Sequence, residues 1–166
     1  MTAVQTLTRY KAWADELFLD SVAQLAEADL VAPRPILFGN LIRTLHHSYA
    51  MDRVWQAHLL GEAHGYTSRN PPDHPPLAVL RQNQLAIDAW YVDYAAALDA
   101  DALAEIVHFS FIGGGEGAMS RQDILLHVVN HTTYHRGHVA DMLYHHALIP
   151  PTTDLPVFLA QQAAPA

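Results

Sequence analysis

Apolar residues recur three and four positions apart along four stretches of the chain, the spacing that gathers them on one side of an α-helix. The first predicted helix runs from about Thr2 to Glu27, with Val4, Leu7, Ala14, Leu17, Phe18 and Leu25 on one side, and the prolines at 33 and 35 stop it. The second begins near Gly39, carries Leu41, Thr44, His47, Met51, Val54 and Trp55, and ends at Gly61. A polar loop follows from Glu62 to Pro76, where the pairs Pro71-Pro72 and Pro75-Pro76 forbid continuous helix. Leu80, Gln84, Ile87, Tyr91, Tyr94 and Leu98 then make the cleanest stripe in the sequence and mark the third helix.

Between Ala104 and Met119 the period changes. Residues 105–111 are rich in β-branched and aromatic types, and the glycine-rich run 113–117 reads as a turn, so a short strand or hairpin is expected before the last helix. Ser120 with Asp123 three residues on is an N-cap pattern. The fourth helix extends from about Arg121 to His146, and Ile149 with Pro150 and Pro151 ends it. A short extended or one-turn tail packing back is expected beyond. Four amphipathic helices without an extended sheet predict an all-α fold, a four-helix bundle, in one domain spanning residues 1–166.

Composition narrows the chemistry. No apolar run approaches the roughly 20 residues of a membrane span, and the N-terminus lacks the pattern of a signal peptide, so a cytoplasmic protein without membrane contact is expected. The absence of cysteine excludes thiolate catalysis, Cys-based zinc sites and disulfides, leaving His, Asp and Glu as metal ligands. With 9 basic against 17 acidic residues and no basic cluster, nucleic acid is not an expected partner. The anomaly is histidine, present 12 times, more often than Lys and Arg together.

His127, His131, His135 and His138 are spaced four, four and three apart, which lines them along one stripe of the fourth helix, extended by Ile124 and Met142. Leu125, Val128, Thr132, Val139 and Leu143 flank the stripe, so it should face the bundle interior. A pair four apart can place two ring nitrogens on one metal ion. Taken alone that is thin, because 12 histidines in 166 positions produce on the order of one such pair by chance. His127 and His135 lie about 12 Å apart along the axis and do not easily share an ion, so the pair is His127 with His131 or His131 with His135. His47 is the best third candidate, since it shares a line with Thr44, Met51 and Val54; His46 is rotated about 100 degrees away. The bland reading of each is a satisfied core histidine. His58, His64, His74, His108, His145 and His146 fall at helix ends or in loops and are read as solvated. Trp13, Trp55 and Trp90 are read as packing anchors, and Asp52 with Arg53 as a solvated pair of positions. The segment Gly113 to Gly117 lacks the lysine of a phosphate-binding loop.

The stretch LLHVVNHTTYHRGH, Leu125 to His138, resembles the last-helix signature of the DinB (damage-inducible) family, in which a histidine pair four apart precedes Arg-Gly-Gln. Further agreement comes from Trp13-Ala14-Asp15, from Leu45 to Trp55, and from Pro150 to Leu155, so the resemblance spans nearly the whole chain. It implies a four-helix bundle of DinB type, often a homodimer, with one nickel-, zinc- or similar divalent ion on histidines that map to His47, His131 and His135. Two positions depart from the pattern: His138 stands where Gln is usual and His46 where Asn is common. Related branches of the superfamily are transferases and isomerases that use low-molecular-weight thiols activated by the metal.

The resulting expectation is a metal-dependent enzyme, a hydrolase or a thiol-dependent transferase acting on a small molecule, with Tyr134, Glu116 and Asp52 only nominal candidates for a general base. The competing class is a noncatalytic metal-binding stress or sensor protein whose stability depends on the ion, for which a closed shell recruiting His127 or His138 is the signature. A metal-free helical interaction module is the third, supported if the three histidines stand far apart.

Overall fold

A computed structural model describes residues 1–163. Its framework is four long helices, α1 (Ala3–Val22), α3 (Leu41–Leu60), α4 (Leu77–Ala97) and α6 (Arg121–Tyr144). Shorter elements join them: α2 (Glu27–Val31), α5 (Ala100–Ala104), the strands β1 (Ile106–Ser110) and β2 (Glu116–Ser120), and a final α7 (Leu155–Ala163). The long helices pack in the pairs α1 with α4, α4 with α3, α3 with α6, and α6 with α1, so the order around the bundle is α1, α4, α3, α6. Helices consecutive in the chain therefore lie across the bundle from one another in two cases, and the connections from 23 to 40 and from 98 to 120 cross an end of it.

Local chemistry sets the element ends. Thr2 and Gln5 form a reciprocal capping box that satisfies the first free amides of α1. Asn40 caps α3, which closes at Gly61 in the left-handed conformation at φ 71°, a geometry that suits glycine. Ser120 caps α6 as expected, its Oγ accepting from the Asp123 amide at 3.0 Å.

Three expectations are corrected. The first helix does not reach Glu27: it ends at Val22, the chain turns, and α2 starts anew at Glu27. The tail is longer than one turn, since α7 spans nine residues and buries Phe158 against Tyr10 and Trp13; residues 164–166 of the expected tail lie outside the described residues. Asp52 does not belong to a solvated face with Arg53. It is 1% exposed and receives a hydrogen bond from Lys11 Nζ at 2.8 Å.

That contact belongs to a charged centre. Lys11, wholly buried on α1, donates to Asp15 one turn along, to Asp52 on α3 and to Asp88 on α4. Gln84 donates to Asp52 and Asp88 at 2.9 and 3.0 Å, and Arg136 on α6 donates to Asp15 at 2.8 Å. All four long helices are thus tied through ionic hydrogen bonds. Burial alone would lower the Lys11 pKa, but the three carboxylates together hold it well above its usual value. Burial raises Asp52 and pushes Asp88 up to about 7, against the pull of Lys11. Apolar clusters flank the centre, one around Tyr91, Ile124, Leu125 and Val128 and another around Leu41, Leu80, Met142 and Leu143.

Removing one partner of a buried charge set leaves the others uncompensated. Lys11→Met is expected to cost about 3–5 kcal/mol in urea unfolding at pH 7.5. The deficit relative to wild type should narrow toward pH 5.5. Without Lys11 the pull that opposes burial at Asp52 and Asp88 is gone, so their pKa values rise further in the folded variant than in folded wild type, and the variant takes up more protons on folding and gains more stability as pH falls. A deficit that stays constant with pH would contradict this account.

Candidate metal centre

His47 comes from the middle of α3, and His131 and His135 from adjacent turns of α6, the two helices that pack directly on one another. Ligands four apart on α6 face the same way, so the contact between helices brings His47 against the pair. Nε2 of His131 lies 3.2 Å from Nε2 of His47 and 3.1 Å from Nε2 of His135. One ligand nitrogen from each of the three falls within 4.8 Å of the other two, and among the described residues this is the group of His, Asp and Glu that so converges. Two imidazole nitrogens bound tetrahedrally to one zinc-type ion at about 2.0–2.1 Å stand roughly 3.3 Å apart. The observed spacing fits that donor set.

The surroundings keep the rings neutral and oriented. His47 Nδ1 donates to the Arg69 backbone carbonyl at 2.5 Å, which fixes its proton on Nδ1 and leaves the Nε2 lone pair directed at the other rings. Phe38 stacks on His47 at 4.2 Å between ring centroids and meets His135 edge-on at 5.4 Å. Burial, and then the neighbouring imidazoles, push His131 down to about 3 and His135 down to about 4; burial also lowers His47. Nδ1 of His131 and of His135 are buried without a protein partner. Their protons can sit there and leave Nε2 open to the centre.

The centre forms the floor of a cleft of about 560 Å³. Met51, Val54 and Trp55 of α3 line one side and Phe109, Phe111 and Ile112 of the hairpin another, with His127 and Tyr134 near the histidines. The expected ligands therefore come together, and their neighbours do not join them. The His127 ring is 5.7 Å from that of His131 and the His138 ring 5.5 Å from that of His135, and neither belongs to the convergent group. His46 is half-buried and is not in the group either. Two of the nominal bases drop out: Asp52 is held in the charged centre, and Glu116 is exposed at the start of β2 and does not line the cleft. Trp55 packs against the core as expected and is also a cleft wall, packing edge-to-face on His127 at 4.9 Å and on Phe109 at 4.9 Å. Phe38 and the Arg69 carbonyl went unnoticed in the sequence; a backbone acceptor has no residue signature, and Phe38 sits in a short connection without periodicity.

A sharp pH dependence follows for the metal-free protein. Groups whose pKa falls on folding destabilise the fold as pH drops below the unfolded value, because the unfolded chain binds the protons first. Between about pH 6.5 and 4, wild type should lose stability faster than His131→Gln, by as much as about 1.4 kcal/mol per pH unit, one proton's worth. Urea unfolding across that range measures the difference; equal slopes would contradict a buried neutral His131.

No curated protein sequence matches the chain. Among solved structures it is similar to the crystal structure of a DinB-like protein from Bacillus cereus, with a TM-score of 0.67 over 87% of this chain and 91% of that one, at 18% identity. That similarity supports the bundle architecture alone. The DinB family model matches residues 1–165, and with the whole described fold inside that span the chain belongs to the DinB family.

Proposed function

We propose that His47, His131 and His135 hold one divalent transition-metal ion, with nickel or zinc the favoured identities, and that the chain is a metal-dependent enzyme acting on a small molecule in the cleft above. The observation that carries this reading is the convergence of three neutral imidazole nitrogens on the floor of an accessible cleft. Three nitrogen donors suit such an ion and leave at least one position for an outside ligand. Bound there, the ion supplies Lewis acidity and lowers the pKa of a coordinated water or thiol. Hydrolysis and thiol-dependent group transfer both use that chemistry, and a thiol has to be brought from outside, because the chain has no cysteine.

The residues of the chain do the rest. The Arg69 carbonyl holds the His47 tautomer, and Phe38 packs two of the three rings. With no carboxylate lining the cleft among the described residues, His127, whose ring is 5.7 Å from that of His131 and which lines the cleft where His138 does not, is an available proton acceptor, and Tyr134 the nearby hydroxyl. The sensor reading is the weaker one: a closed shell needs a fourth side chain, and His127 and His138 both stand outside the convergent group.

Elemental analysis of protein purified without chelator should find about one divalent ion per chain, and His131→Ala should abolish it while His46→Ala retains it. Added ion at about 100 times its Kd should stabilise wild type by roughly 2.7 kcal/mol and leave His131→Ala unmoved. Metal content near zero in wild type, or unchanged in His131→Ala, would overturn the assignment.

A further inference from the structure

Resting on that reading of the three histidines, we propose that the cleft selects ligands with a metal-binding head and a flat apolar or aromatic body, and that the wall made by Trp55, Phe109 and Phe111 confers the preference. The volume, about 560 Å³, falls in the range of small-molecule sites, and the histidines occupy its floor, so a ligand held at the centre lays its remaining atoms along the walls. Arg69, Asn70 and Ser110 also line the cleft, but Met51, Val54 and Trp55 on α3 and Phe109, Phe111 and Ile112 on the hairpin form two apolar faces, and these supply most of its surface. A sugar-like or charged body would face them with hydrogen bonds unmade, which costs affinity.

The hairpin is built to present this wall. Phe109 pairs with Gly117 across the strands, and a Cβ at position 117 would stand 2.6 Å from the Phe109 ring, so the ring occupies the space a side chain there would need. Phe109 meets Trp55 edge-to-face at 4.9 Å on one side and Phe111 at 5.1 Å on the other, a continuous aromatic row from α3 to the hairpin tip. The tip turns through Gly113, Gly114 and Gly115, all at φ between 92° and 104°, and the Phe111 amide donates to the Gly115 carbonyl at 2.9 Å. Ile112 packs on the cluster of Ala50, Met51 and Val54, which seats the tip on α3. Phe109 is buried, whereas Phe111, at the end of the row, is 50% exposed. One edge of the Phe111 ring rests on the hairpin glycines and on Phe109, and the rest stays in water beside the cleft, where the body of a bound ligand would cover it.

The test uses cobalt- or zinc-loaded full-length protein, with metal content checked first, and two hydroxamates that share a head: acetohydroxamate and 3-phenylpropionohydroxamate. Each roughly 55 Å² of apolar surface removed from water is worth about tenfold in affinity. The phenyl compound should therefore bind wild type at least about tenfold more tightly, and the ratio should fall below about threefold in Phe111→Ala or in Trp55→Ala. Phe111 lies at the surface, so its variant should fold, to be checked by circular dichroism. Equal affinities in wild type, or a preference that survives in both variants, overturns the proposal. Protein that takes up no metal fails before any ligand is added, which sinks the metal reading itself and is distinguishable from a loaded site with no preference.

Discussion

The structure depends on a lysine buried in the centre of the bundle. An ammonium group taken from water is tolerated only where its charge and all its donors are met, and Lys11 meets three carboxylates from α1, α3 and α4. Arg136 extends the set to α6 through Asp15. Apolar packing alone would permit neighbouring helices to slide by a fraction of a turn at modest cost; ionic hydrogen bonds do not. Arg136 follows His135 directly in the chain, so the bond that fixes the axial position of α6 against α1 also fixes where its two histidines meet His47. Specificity of register, rather than net stabilisation, is what such a centre best contributes.

This division of labour explains what could be read in the sequence. The four long helices were legible because apolar residues recur at helical spacing along each, and Pro33, Pro35 and the prolines of 71–76 mark the first two gaps between them. The break after Val22 was not, because Ala23, Gln24, Leu25 and Ala26 are all good helix residues and nothing in their types announces the turn. The hairpin was legible from its change of period and its glycines.

The candidate site was partly legible. Spacing on α6 narrowed the pair without choosing it, and the likeness of Leu125 to His138 to a known signature made the choice that the structure brings to one point. The charged centre was hidden: Lys11, Asp15, Asp52 and Asp88 look like ordinary surface residues of amphipathic helices, and only their meeting across three helices reveals them. Long-range pairing of polar groups has no local period to betray it. Trp55 packs against the core as its type suggests, but its second role as a cleft wall was not legible, since an aromatic residue lining a cleft and one filling a core occupy the same helical positions.

The hydrogen bond from His47 to the loop has a different kind of consequence. Its acceptor is main chain, and the loop is held to α3 by Arg43 reaching Asn70 at 3.3 Å and stiffened by the prolines that follow. Substitution at position 69 keeps the carbonyl that accepts from the ring, while the charge of the Arg69 side chain, which helps lower the His47 pKa, is lost. A residue inserted between Arg69 and Asn70 would instead separate the acceptor from the anchor that holds it. The ring thus depends on where the loop's main chain runs, and Asn70 and the prolines serve it by holding that course.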